Sequence, residues 1–229
     1  MSRNAWKYFY TRILIFLQIA TEEKIRKMKK YEILKVCGEP DFSIIPIIDI
    51  DVRHRGVPTE IGANAQICYS DEALFVHLWT AEENIRAEEN GPVGMPCYDS
   101  CLEFFFCPME NDPRYLNIEF NMNGCVFFGF GTGIPDLFRL LPEERTVKDV
   151  FNYKINKTDA GWEIFYSIPH SLIRQFFPEF KAYTGKQMRA NCYKCADFSE
   201  PPHYLSWSKI EGPNFSFHNP KFFGIMEFM

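Results

Sequence analysis

The sequence predicts an all-β protein, built as an antiparallel β-sandwich. Three observations predict it. From residue 31 onward, short runs rich in Val, Ile, Tyr, Phe and Trp follow one another, each bounded by turn residues. Helical periodicity is scarce in the same stretch. Of 229 residues, 46% are apolar and 17% aromatic, with 23 Phe and 11 Tyr, which is enough to fill a core between two sheets.

The elements follow in order. The opening residues MSRNAWKYFYTRILIFLQIA carry cations at Arg3, Lys7 and Arg12 and an apolar run from Ile13 to Leu17. That run is far shorter than the roughly 20 residues a membrane span needs. It also lacks the longer apolar region and small-residue cleavage site of a secretory signal. TEEKIRKMKK then reads as a charged helical linker, and Met28-Lys-Lys-Tyr as the start of the folded part. Residues 1–30 are therefore expected to be a helical or unstructured N-terminal extension, and 31–229 one domain. Expected strands cover 31–36, 44–52, 65–69, 73–79, 102–107, 114–121, 124–131, 150–156, 162–168, 187–195, 204–209 and 222–228. Ser70-Asp71-Glu72, Asn123-Gly124, Asp159-Ala160-Gly161, Gly185 and Gly212-Pro213 mark turns between them. One short helix, SLIRQFF, is expected between Pro169 and Pro178, before the C-terminal strands.

Charge and cysteine usage exclude several functions. The net charge is −5, with no basic tract and no zinc-finger spacing, so no nucleic-acid partner is expected. The 8 cysteines sit mostly in apolar runs and read as small buried hydrophobes in a reducing compartment. A cytoplasmic location follows, with secretion the alternative if the N-terminal segment exports the chain. Cys192 and Cys195 in NCYKC fall on opposite faces of a strand and do not chelate one ion together, so no metal is expected there. A monomer without a cofactor is expected.

The strand faces point to binding. Alternation places Tyr115, Asn117, Glu119 and Asn121 on one side of RYLNIEFN, and Arg189, Asn191 and Tyr193 on one side of QMRANCYKC. Glu103 shares a face with Phe105 and Cys107. Fixed donors and acceptors of this kind suit a hydroxyl-rich ligand. Sugars also present apolar C–H faces, which aromatic rings meet. Tyr98, in the loop GPVGMPCYDS, and Phe217, in EGPNFSFHNP, are candidate platforms, with Phe215 and Trp207 nearby. His218 is a candidate hydroxyl donor. Phe104, Phe106, Phe127 and Phe128 read as core. There is no G-x-S-x-G, and GFGTG does not open a helix, so neither a serine hydrolase nor a nucleotide loop is indicated.

Five ordered blocks carry a family resemblance: PCYDSCLEFFF, RYLNIEFNMNG, GWEIFYSIP, RANCYKCAD and FSFHNPKFFGIMEF. Together they resemble the family 9 carbohydrate-binding modules over residues 31–229. The likeness is greatest to short stand-alone bacterial forms related to the modules attached to xylanases. The resemblance implies a sandwich with jelly-roll character and non-catalytic recognition of a mono- or oligosaccharide, including its reducing end, in polysaccharide catabolism. It implies two stacking rings, at Phe217 and at Cys97 or Tyr98, of which Tyr98 is the aromatic one. Glu103 takes the place of the hydroxyl-binding carboxylate and Asn214 that of a loop asparagine. Glu119 stands where the family has a sugar-contacting arginine; Arg189 is the cation that could substitute. Asn121 and Asn191 complete the candidate hydroxyl ligands. Structural calcium is a family property for which Glu82 and Glu83 are the candidates here. The rival readings are a glycoside hydrolase pairing Glu103 with a second acid such as Glu119, and a sandwich that binds another polar metabolite.

Overall fold

Residues 28–54, 60–141 and 144–229 are described by the structure, a computed structural model, without the side chains of 144–147. The expected extension over 1–30 lies outside these residues except for its last three.

Strand alternation sorts the chain into two layers. The first contains β1 (Lys30–Lys35) at its margin, β2 (Ile48–Asp49), β4 (Gly62–Tyr69), β5 (Ala73–Ala81), β10 (Lys154–Lys157) and β11 (Gly161–Pro169). The second contains β3 (Val52–His54), β6 (Cys101–Cys107), β7 (Tyr115–Asn121), β8 (Val126–Gly131), β9 (Phe138–Leu140), β12 (Gln187–Ala196), β13 (His203–Ser206) and β14 (Gly224–Phe228). Within each layer the ladders are antiparallel, in the order β10-β11-β5-β4 and β14-β12-β6-β7-β8-β9. β13 adds to β12, and β3 to β13.

The strictly antiparallel expectation needs one correction. β1 runs parallel to both its neighbours, pairing Tyr31 with Met226 of β14 and Leu34 with Cys68 of β4. It thereby joins the layers into one curled, mixed sheet of 14 strands among the described residues. Side chains alternate identically in parallel and antiparallel strands, so the sequence pattern is blind to this difference.

The core lies between the layers. Leu102, Phe104, Phe106, Leu116, Ile118 and Phe120 from the second layer meet Val76, Leu78, Trp162, Ile164 and Tyr166 from the first. Each fully buried ring or branched side chain contributes about 1.5–3 kcal/mol. Trp207 belongs here too. It is 4% exposed and packs so closely over Gly224 that an added Cβ would lie 2.6 Å from its ring. It is therefore a core residue and not a ligand platform.

Among the described residues, two α-helices flank the sheets. The expected strand from residue 150 begins later, because Val150 and Phe151 close α1 (Glu144–Phe151). Asn152 ends that helix at φ +42°, and the Phe151 ring meets Phe120 and Phe128 edge-on. α2 (His170–Phe176) is the helix expected after Pro169, with Ile173 buried.

Two glycines oppose the same residue, Ala81, from either side of β5. A Cβ on Gly161 would meet the Thr80 carbonyl oxygen at 2.1 Å, whereas one on Gly62 meets nothing within 4 Å. Gly161→Ala is expected to cost about 1–3 kcal/mol, and Gly62→Ala less than about 0.5 kcal/mol. Urea midpoints measure both; equal midpoints would refute the tight β5–β11 contact.

Candidate functional site

The outward face of the second layer is a grid. Glu103 of β6 lies directly across from Glu119 of β7 and from Tyr193 of β12, and Glu119 across from Phe127 of β8. One row along, Cys101 lies between Asn121 and Cys195, and Cys195 faces Tyr204 of β13. One row the other way, Phe105 lies between Asn117 and Asn191. An ordinary outward face would be wet. Here the C-terminal segment folds back as a roof, and Ile210, Phe217 and Phe223 form a second apolar cluster with Phe105, Tyr115 and Tyr193. Every residue of β6 and β7 is consequently buried.

The roof leaves a cleft of about 390 Å³. Glu103 and Glu119 lie on its floor, and Phe127, Tyr204, Phe215 and Phe217 on its walls, with Cys97, Asp197 and His218 also at its surface. Phe217 is held by stacking on Tyr193, with centroids 4.1 Å apart and planes at 13°. The Arg139 guanidinium lies 4.7 Å above the Phe127 ring.

Burial governs the electrostatics. It pushes Glu103 up to about 8, with Asp197 adding to the rise and a hydrogen bond from Cys195 opposing it. It pushes Glu119 well above the usual carboxylate range, with the Glu103 charge adding to it; a hydrogen bond from Asn117 Nδ2 at 2.7 Å and the Arg139 charge oppose it. The pair therefore carries protons at neutral pH, and each acid that keeps its proton can both donate and accept. His218 is lowered by burial to about 4, so it is neutral, with Nδ1 2.8 Å from the Tyr115 hydroxyl.

Residues 50–228 match the family model for carbohydrate-binding family 9. The chain belongs to carbohydrate-binding family 9. No curated protein matches it. A candidate carbohydrate-binding protein from Bacteroides uniformis is 27% identical, with TM-score 0.73, over 89% of this chain and 100% of that one. Two structures of a family 9 module from Caldicellulosiruptor kristjanssonii, one with cellotriose and one with glucose, share the fold at 14% identity and TM-score 0.60. They cover 87% and 88% of this chain, and 93% and 96% of their own.

Within this family 9 domain, Glu103, Phe217 and His218 of the sequence-predicted residues reach the cleft. Others are employed elsewhere. Tyr98 stacks on Phe198 at 4.2 Å, and its neighbour Cys97 takes the place at the cleft. Asn121 donates to Asp99 at 2.7 Å and accepts from the backbone of Asn123 and Cys125, which fastens a turn. Asn191 exchanges two hydrogen bonds with the backbone of Ser208. Arg189 is pinned to the Pro220 carbonyl at 3.1 Å, two rows from Glu103, while Asn214 is exposed on the loop outside the lining. The cation acting on Glu119 is Arg139. Phe127 and Arg139 were missed. Phe127 looks like its core neighbour Phe128, and only the β7–β8 register separates them.

Glu82, a calcium candidate, lies 3.3 Å from Lys194 Nζ and 3.4 Å from His203 Nε2, all buried. Ser100 also donates to it, and Trp162 Nε1 donates to Ser100 at 2.7 Å. Burial alone would raise this carboxyl; Lys194, His203 and Ser100 outweigh it and hold it at about 2. Glu83 is exposed beside it.

Two outcomes are expected. Lys194→Met leaves Glu82 buried without its cation and should cost about 3–5 kcal/mol by urea unfolding, part of it recovered by adding Glu82→Leu. An unchanged midpoint in the single variant would refute the pairing. Glu103 ionises at its ordinary 4.5 when unfolded but at about 8 when folded. In that window folded Glu103 binds more protons than unfolded, so its contribution to stability falls as pH rises from about 4.5 to about 8; Glu119, also raised by burial, adds to the fall, and His218, lowered to about 4, opposes it at the acidic end. Melting temperatures of chelator-treated protein across this range should show the fall. Glu103→Gln should make the fall shallower, leaving the share that belongs to Glu119, and a parallel wild-type and variant profile would contradict the assignment.

Proposed function

We propose that this domain binds a sugar or a short oligosaccharide end in the cleft and releases it unchanged. The observation that carries the reading is a pair of buried, cross-strand carboxyl groups at the bottom of an aromatic-walled cleft, in a family 9 domain. Phe127 and Phe217 offer ring surface to the apolar sugar faces. Glu103 and Glu119 exchange hydrogen bonds with hydroxyls, and neutral His218 adds another polar edge. A volume of about 390 Å³ suits one or two sugar rings of a chain end or free sugar, near the low end of ligand clefts. Turnover is disfavoured by placement. Glu103 and Glu119 stand side by side on one floor, whereas a glycosidase sets its two acids on either side of the bond it cuts. The free cysteines fit a reducing, cytoplasmic setting, in which the ligand would be a product of polysaccharide breakdown.

Glucose, cellobiose, cellotriose and their reduced alditols are the first probes for calorimetry, with chromatography of the mixtures. Saturable binding without product is expected. Phe217→Ala and Phe127→Ala should each weaken it by about 2- to 10-fold, the worth of one ring contact. Tyr98→Ala should leave it within about twofold. Weaker binding of the alditols would assign the reducing end. New product would favour the hydrolase, and loss of binding in Tyr98→Ala alone would move the site.

A further inference from the structure

At one end of the cleft, Glu103 and Cys195 of its lining meet Cys101, which is buried just behind them, and the sugar reading uses only the first of the three. Cys101 and Cys195 are directly opposed on β6 and β12, and Glu103 follows Cys101 by two residues on the same face. The three donor atoms lie within 4.8 Å of one another, and all three residues are buried. Cys195 Sγ donates to Glu103 Oε1 at 2.8 Å. The nearby cleft-lining groups Cys97 and Asp197 are joined by a hydrogen bond from the Asp197 N–H to the Cys97 carbonyl at 2.8 Å. Cys192 makes the contrast: it sits three residues from Cys195, in the apolar core on the other face.

We propose that Cys101, Cys195 and Glu103 form a binding site for a thiophilic divalent cation of the Zn²⁺ type, with its fourth position open to the cleft. Two thiolates and one carboxylate are a recognised ligand class for such ions, and three protein ligands leave one position for water or a substrate oxygen. The β-ladder fixes two of the donors across strands and the third along one, so ordering them costs little. Asp197 adds negative charge beside Glu103. Binding replaces the two thiol protons and the Glu103 carboxyl proton with the metal and releases all three to solvent. Zn²⁺ with two thiolates and a carboxylate carries one net negative charge, and Lys194, though paired with Glu82, acts on Glu103 in the sense that favours it. Glu103 binds through one oxygen and keeps the second for a ligand hydroxyl, so the cation and a sugar are compatible occupants.

The test uses the full chain, kept reduced with a phosphine, stripped by chelator and titrated with Co²⁺ in the absence of sugar. One equivalent should bind, giving thiolate-to-cobalt charge-transfer and tetrahedral d–d absorption that Zn²⁺ abolishes. Cys101→Ser and Cys195→Ser should each remove the charge-transfer band or halve it, Glu103→Gln should weaken binding at least tenfold, and Cys192→Ser should change nothing. Should a serine variant fail to fold, wild-type intensity corresponding to two thiolates per cobalt supports the site. Absence of the band, a one-thiolate intensity, or a band that survives in the Cys101→Ser/Cys195→Ser double variant would overturn it. Because no sugar is present, failure here leaves the sugar reading standing, and success does not depend on it.

Discussion

Burial of β6 and β7 on both faces is the constraint on which the site depends. A sheet with one face on the core normally turns the other to water, and polar residues there keep their ordinary chemistry. In this domain the C-terminal segment carrying Phe217 and Phe223 covers the outward face. Water is withdrawn from Glu103, Glu119 and Asn117, yet their backbone positions are held by ladders on both sides. The protonated acids, the neutral His218 and the raised thiol of Cys195 all have this one origin.

Buried polar contacts hold the loops around the cleft. Asp99 is fully buried and gathers the Arg86 guanidinium, the backbone N–H groups of Glu88 and Glu89, and the Asn121 amide. The loop that delivers Cys97 to the cleft is thus tied to β7. On the other side, the 3.3 Å Glu82–Lys194 pair links the end of β5 to β12, and Ser100 with Trp162 carries that link across the core. Charges buried at this depth stabilise only as matched sets, which makes the junction specific about its partners.

Much of the fold was legible because alternating apolar residues and Gly- or Asn-bearing turns mark strands directly. The family blocks located the floor at Glu103 and the roof at Phe217. What remained hidden has a common physical cause. When both faces of a strand are buried, alternation no longer tells core from cleft, so Phe127 passed for core while Asn121 and Asn191 passed for ligands. Their amides are consumed by backbone groups far away in sequence, such as Ser208, which periodicity does not reveal. Tyr98 and Cys97 are adjacent, and which of them reached the cleft was decided by the ring of Phe198. Val150 and Phe151 fit strand and helix equally well in isolation, and the packing of Phe151 on Phe120 and Phe128 goes with the helix.

The position of β1 has a consequence for synthesis. Lys30 pairs with Ile225, so the strand made first among those described waits for the one made last before either has its full set of neighbours. The two layers share their seam only then, and the roof over the cleft arrives with the same late residues. Contacts this distant in sequence close slowly. While the chain is still on the ribosome, the edges of β1 and β12 that will receive β14 stay unpaired, which makes the nascent domain the form most exposed to strand-mediated misassociation.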